Sequence, residues 1–408
     1  MIFAPILAVF CGLVFSVFVD IGFTYYVDWF MFGLSFRVDT ISKVFLIFTS
    51  LVWFVGAIYS YISIDEHRGR YWFWFVLTFV GNYGLILSYD AIGFYMFFSM
   101  MSLASFGLIV HKLSLEAKNA AFVYIKYAVV GELMLFVATL IASRHYGGFS
   151  FELYTATMHP IALWLFIVGF GIKVGVLFLH FWLPLAHGNA PAAASAILSG
   201  VMLKAGVLGM MRFLPFGIEM NVLAGVTLVM LGVMGIYFGL YGLKEEKIKV
   251  VLAYSSISQM GYIVTLFGIG FLYPSWWDLL VVAIVFFSLH HAINKSALFI
   301  LSGEILQNGL NVFYILLGAV FALSLVGVVF SSGEIAKEMI ARATPQTIPF
   351  IGSMLSFGSV VTALLMIKAY FLSRKISKNK SFDKRSIYLL LPLGASSLLL
   401  YFIGAGFV

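Results

Sequence analysis

Two lysines set the chemistry open to this chain. Lys173 and Lys204 stand inside GFGIKVGVLFLHFWLPLAHGNAPAAASAILSGVMLKAGVLGMMR, residues 169–212, and no Asp or Glu occurs between Glu152 and Glu219 to neutralise them locally. A lysine in the middle of a lipid-spanning segment costs at least about 2.5–3.5 kcal/mol, so its position implies a use for the charge. That use is the uptake and release of a proton. Desolvation between helices lowers the pKa of a lysine, and a nearby carboxylate raises it again. At about 4 Å and an effective dielectric of about 20, such a pair is worth roughly 4 kcal/mol, or about 3 pKa units, and doubling the separation halves it. Small helix movements then suffice to load and unload a proton.

Other side chains with the same potential surround these two. His180, Pro184, His187 and Pro191 lie between the lysines. Proline at membrane depth interrupts a helix only where the freed carbonyls find a partner or water, so the stretch reads as an interrupted helix lining a hydrated interior. His180 follows Lys173 by seven residues, two turns along the same face, and either relays protons or hydrogen-bonds a carbonyl freed by Pro184. Glu132, in YIKYAVVGELMLFVATL, is near the middle of another apolar segment. An isolated glutamate there is expensive. It is expected to pair with Lys173 or Lys204 from a neighbouring helix, or with a basic residue of a partner subunit. Glu334, Lys337 and Glu338 are either ionisable groups at work inside a span or an interfacial charge cluster. Lys126 and Lys368, near the ends of spans, read as snorkelling side chains.

The elements that must position these residues are membrane helices. The 408 residues are 62% hydrophobic and only 10% charged, with a mean hydropathy of +1.06, whereas soluble domains carry about 25% charged residues. Thirteen apolar segments are long enough to cross about 30 Å of hydrocarbon. They run at 2–19, 42–63, 71–89, 91–110, 120–142, 161–183, 192–213, 221–242, 249–271, 277–303, 312–342, 350–372 and 386–406. The two longest, 277–303 and 312–342, contain charges and are candidates for breaks or strong tilt. The first segment lacks the basic region and cleavage site of a signal peptide and reads as a retained span. A single cysteine, Cys11, excludes an internal disulfide, and no Cys/His cluster has metal-ligand spacing, so no cofactor or metal is expected. The formal charge of +7 lies at loop ends and isolated span positions and does not point to nucleic acid. Loops after even-numbered spans hold thirteen Lys and Arg, including the run from Arg374 to Arg385, against four (Arg37, Arg144, Arg212, Arg342) after odd-numbered ones. The N-terminus is therefore expected in the cytoplasm of a multi-pass cell (inner) membrane protein, and the C-terminus outside.

The lysine-bearing stretch resembles the signature of the antiporter-like, proton-translocating subunits shared by respiratory complex I, Mrp antiporters and group 4 membrane-bound hydrogenases. The wording WLPLAH, with Leu185 where complex I subunits have Asp, is closest to the formate-hydrogenlyase / hydrogenase-4 component B type. FRVDTISKVFLIFTSLV (36–52), SYDAIGFYMFFSMMSLASFGLIVH (88–111), VLAYSSISQMGYI (251–263) and HHAINKSALFILSG (290–303) match in the family order.

This resemblance implies an all-α polytopic membrane protein of about thirteen transmembrane helices, with two inverted five-helix repeats and broken helices. The divisions are 1–70 (N-terminal helices), 71–213 (first repeat), 221–373 (second repeat) and 374–408 (basic loop and last helix). Lys173 and Lys204 match the family's first-repeat lysines. His291 and Lys295, with His290 beside them, match its central polar connection, and Lys337 the charged residue of its second broken helix. Three departures stand out: one N-terminal helix fewer, Val328-Val329-Phe330 after Gly327 instead of a Gly-x-Pro-Pro break, and Ser99 where FFEMM would carry a glutamate. The implied function is translocation of protons, or of Na+ and H+, in a redox-driven complex with other membrane and peripheral subunits. A non-pumping scaffold and a subunit of a free-standing ion or bicarbonate transporter are the alternatives.

Overall fold

The computed structural model describes residues 3–30, 33–154, 156–376 and 384–406. The chain runs as α1 (Phe3–Phe18), strands β1 (Thr24–Val27) and β2 (Leu34–Arg37), then α2 (Thr40–Ser63), α3 (Arg68–Leu87), α4 (Ala91–Ile109) and α5 (Leu115–Tyr146). It continues with α6 (Pro160–Val174), α7 (Trp182–Asn189), α8 (Ala192–Ile197), α9 (Leu203–Phe213), α10 (Val222–Phe238), α11 (Ile248–Leu272) and α12 (Trp277–Asn308). It closes with α13 (Val312–Val326), α14 (Ser332–Arg342), α15 (Pro349–Arg374) and α16 (Lys384–Ala405). Among the described residues, eight helices are long and apolar enough to cross a membrane, and Phe3–Phe18, Pro160–Val174, Val312–Val326 and Leu390–Ala405 are shorter apolar helices.

Short polar residues start these helices as local chemistry dictates. Asp39 accepts from the Ser42 amide at 2.8 Å while Ser42 Oγ accepts from the Asp39 amide at 2.8 Å, a reciprocal cap on α2. Asp90, Ser114, Asn221, Asn311 and Ser331 cap α4, α5, α10, α13 and α14 in the same way, each taking a backbone N–H that the first turn leaves free.

Three sequence expectations need correction. The chain is not wholly helical: β1 and β2 pair antiparallel, Thr24 opposite Arg37 and Val27 opposite Leu34, so that the stretch between the first two spans satisfies its backbone as a hairpin. Segment 277–303 is not broken; α12 is one helix of 32 residues, since its charged side chains find partners on neighbouring helices. Segment 312–342 does break. The first interruption is made by glycine rather than by proline: α6 ends at Gly175 (φ +79°), whereas Pro184 sits inside α7 and Pro191 precedes α8. Residues 377–383, in the basic run from Arg374 to Arg385, lie outside the described residues.

The two breaks share one construction. Gly175 N–H donates to the Gly171 and Ile172 carbonyls and Val176 N–H to Gly171; Gly327 (φ +85°) donates to Leu323 and Ser324, and Val328 to Leu323. Both are left-handed glycine caps that satisfy the last carbonyls of a helix. No proline is needed for this.

Helices α11 and α12 form the middle of the molecule. α11 is buried nearly all round and packs on α7, α10, α12 and α15, while α12 touches α2, α8, α11, α13, α14 and α16. The α10–α11 seam is close because Gly225 and Gly232 face Gly268 and Gly261: a Cβ on Gly232 would stand 2.7 Å from the Gly261 carbonyl. The ionisable residues are carried on this rigid centre and on the two broken helices packed beside it.

Candidate functional site

Lys173 lies in the last turn of α6, just before the Gly175 break, and is 5% exposed. Its amine donates to Ser102 Oγ on α4 and to the Tyr124 hydroxyl on α5, each at 3.1 Å. The Phe98 and Tyr124 rings stand 5.8 and 5.5 Å from the nitrogen. Glu132 of α5 lines the same narrow cavity, and its carboxylate accepts from Ser99 Oγ. Of the two partners expected for Glu132, Lys173 is the neighbour; Lys204 is occupied elsewhere.

Lys204 is fully buried. A π-helical turn at Leu198–Met202 joins α8 to α9 and leaves the Ser199 carbonyl free to accept from Lys204 Nζ at 2.7 Å. The same amine is hydrogen-bonded to His291 Nδ1 of α12. One turn along α12, Lys295 Nζ donates to the Leu252 carbonyl of α11 at 2.9 Å. Ser199 and Ser256 join hydroxyls at 2.8 Å beside them.

His290 faces the second break. Its Nδ1 is 2.9 Å from Ser332 Oγ, whose hydroxyl meets Ser324 Oγ at 2.8 Å, and Asn294 fixes the ring from one turn away, 3.2 Å from the same nitrogen. Beyond the break Lys337 Nζ donates to the Val326 carbonyl and to Ser359 Oγ at 2.5 Å, with Tyr262 beneath it at 5.8 Å. Glu334 does not join Lys337. Its carboxylate turns back to accept from the Phe330 amide at 2.6 Å, in the turn between α13 and α14. Glu338 turns instead to Arg342 at 2.9 Å, so the three residues do not form one charge cluster.

His180 falls in the linker after Gly175, so it shares no helix face with Lys173. The helical geometry that would align them ends at the glycine. Its ring packs on Phe181 and Phe238, and among the described residues its Nδ1 makes no hydrogen bond; Pro184 frees no carbonyl to it. Lys126 is exposed and Lys368 partly exposed, as snorkelling requires.

Several contributors had no sequence signal. Ser102, Tyr124 and Ser359 look like ordinary span residues, and Ser99 is marked only as standing where the family wording has a glutamate. Lys249 counted among the loop lysines, yet it is 7% exposed and donates to the Ala190 carbonyl. His187, flagged only as lying between the lysines, is wholly buried against Phe299, and the charges of Lys249, Lys295 and Lys204 reach it.

Two cavities approach this row from opposite ends of the helices. One, of about 580 Å³, is lined by Tyr59, Asp65, Glu66, His111, Lys112 and Lys249, at the C-terminal ends of α2, α4 and α12 and the start of α11. The other, of about 170 Å³, reaches Lys337 and Ser359 between the end of α14 and the start of α15.

Glycine-broken helices set around a buried row of amines and imidazoles define an antiporter-like, multi-pass membrane subunit. Residues 88–377 match the family described as NADH:quinone oxidoreductase/Mrp antiporter, TM, and the chain belongs to it. Hydrogenase-4 component B of Escherichia coli (strain K12) is 30% identical over 297 residues, covering 67% of this chain but only 44% of that protein. NADH-quinone oxidoreductase subunit M of the same organism is 26% identical over 379 residues, 83% of this chain and 73% of its own length. In fold, the chain superposes on a chain of the membrane-bound sulfane sulfur reductase (MBS), an archaeal respiratory membrane complex. The TM-score is 0.86 at 22% identity, over 98% of this chain and 72% of that one.

Proposed function

We propose that this chain translocates protons, or exchanges Na+ for H+, as one membrane subunit of a larger redox-driven complex of the hydrogenase or quinone-reductase type. The observation that carries the reading is the contact between Lys204 and His291, with Lys295 close by, in the fully buried centre. Three ionisable side chains from two helices gather there without a carboxylate. Buried charge of this kind is a poor source of stability, which favours a role in moving charge. Lys173 and Lys337 extend the row to either side, through His290 and Ser332 in the second case. A charge crossing against 100 mV requires about 2.3 kcal/mol, which electron transfer in partner subunits would supply.

Residues 71–213 and 221–373 are proposed as inverted repeats. Counting α6–α7 and α13–α14 each as one interrupted helix, the left-handed glycine break falls in the fourth helix of both. The basic loops support a reading with the wide vestibule at Lys249 and the N-terminus on the cytoplasmic side of the inner membrane and the C-terminus outside.

The test is Lys173→Ala in membrane vesicles carrying the intact complex. The complex stays assembled and most ion uptake attributable to this subunit disappears. Proton and sodium uptake equal to wild type, at equal expression, overturns the assignment.

A further inference from the structure

Ser99 and Ser102 stand three residues apart on one face of α4, so their hydroxyls are neighbours. Each holds one of two buried ionisable groups that come from different helices. Ser99 Oγ donates to the Glu132 carboxylate, and Ser102 Oγ accepts from the Lys173 amine at 3.1 Å. Tyr124 braces the arrangement: its hydroxyl donates to the Ser102 carbonyl at 2.8 Å and accepts from the same amine.

Glu132 points inward although its own helix is largely lipid-facing. The carboxylate residue is 7% exposed, while its neighbours Val130 and Leu133 are 47% and 60% exposed. Gly131 and Gly169 allow α5 and α6 to meet here, a Cβ on Gly169 standing 3.2 Å from the Gly131 carbonyl. The cavity that Glu132 and Lys173 share is about 10 Å³, room for a single water. Among the ion pairs of the described residues none includes Glu132, and Lys173 is the cationic residue that lines its cavity. An unpaired carboxylate at such a depth is costly, so this neighbour accounts for its position.

We infer that Glu132 is the carboxylate partner of Lys173 and that Ser99 is its positioning residue, holding it out of ion-pair contact with the ammonium. Coulomb attraction varies inversely with distance. Rotation of the carboxylate between Ser99 and the amine therefore changes how firmly Lys173 holds its proton, with no helix displaced. The inference rests on the reading that Lys173 carries protons in this protein.

The experiment measures proton uptake by vesicles containing the whole complex, with complex content determined in each preparation. Glu132→Gln, which preserves shape, reduces uptake at least tenfold, to the level of Lys173→Ala. Ser99→Ala lowers it severalfold, whereas Ser99→Thr, which keeps the hydroxyl, stays near wild type. Glu132→Gln combined with Ser99→Glu recovers a substantial share, because the new carboxylate arises where the old one is held. Full activity of Glu132→Gln beside an inactive Lys173→Ala overturns the inference and leaves the proposed function standing. Full activity of both removes the proposed function as well. If Ser99→Thr is as impaired as Ser99→Ala, or the double variant recovers nothing, the positioning role of Ser99 is wrong.

Discussion

Lys204 shows how one side chain can be held in the protein interior without a counter-charge. Two partners face its amine, a carbonyl freed by the π-helical turn and an imidazole nitrogen of α12, and neither carries a negative charge. Neutral acceptors satisfy the amine's hydrogen bonds while leaving its proton free to move. Removing the imidazole should therefore impair transport before it impairs folding. His291→Ala is expected to lower ion uptake by roughly tenfold or more, since a buried hydrogen bond to a charged group is worth on the order of 1.5–3 kcal/mol. Vesicle uptake and the melting temperature of the purified complex, measured together, check this; uptake unchanged at equal complex content would remove His291 from the path.

At the scale of elements, the interrupted helices matter more than their lengths suggest. Gly327 departs from the family's Gly-x-Pro-Pro wording, yet the chain turns there because glycine alone enters the left-handed region without strain. A Cβ at this position would also stand 2.8 Å from Lys337 Cδ and 3.2 Å from the Gly333 carbonyl. Gly327→Ala is expected to cost about 1–2 kcal/mol from the backbone alone and to displace Lys337, lowering both the melting temperature and uptake. Gly69→Ala, in the open first turn of α3 with nothing within 4 Å, serves as the control. In an exposed helical turn alanine is favoured over glycine by about 0.5–1 kcal/mol, so that variant should melt no lower than wild type. Equal melting of the two variants would mean that the break tolerates a side chain.

For the whole molecule the argument is one of sidedness. The vestibule at Lys249 and the cavity at Lys337 lie at opposite helix ends, and the proposed topology puts them on opposite faces of the membrane. Cysteine labelling in a Cys11→Ser background tests this. Lys112→Cys, beside the vestibule, should resist membrane-impermeant thiol reagents in intact cells, and Gln346→Cys, in the loop between α14 and α15, should react. The reverse pattern inverts the proposed topology, and reaction of both or of neither breaks the claim that the cavities are on opposite faces.

Most of the helices could be read from the sequence. The thickness of the hydrocarbon fixes how long an apolar run must be, and hydropathy is a local property. The cost of a lysine in such a run also depends on its immediate surroundings, which is why Lys173, Lys204 and Lys337 stood out before any fold was known. What the sequence could not provide is the set of partners. Lys204 and His291 are 87 residues apart, Ser99 and Glu132 33 apart, and whether such side chains meet depends on helix rotation and on the small residues that set helix spacing. The same limit shows at three residues. The helix that would align His180 with Lys173 ends at Gly175, α11 carries Lys249 inward from the loop, and Glu334 accepts from the Phe330 amide instead of meeting Lys337. Composition and local pattern determined a polytopic helical membrane protein with misplaced charges. Packing alone decided which of those charges face one another, because that depends on distances between segments remote in the chain.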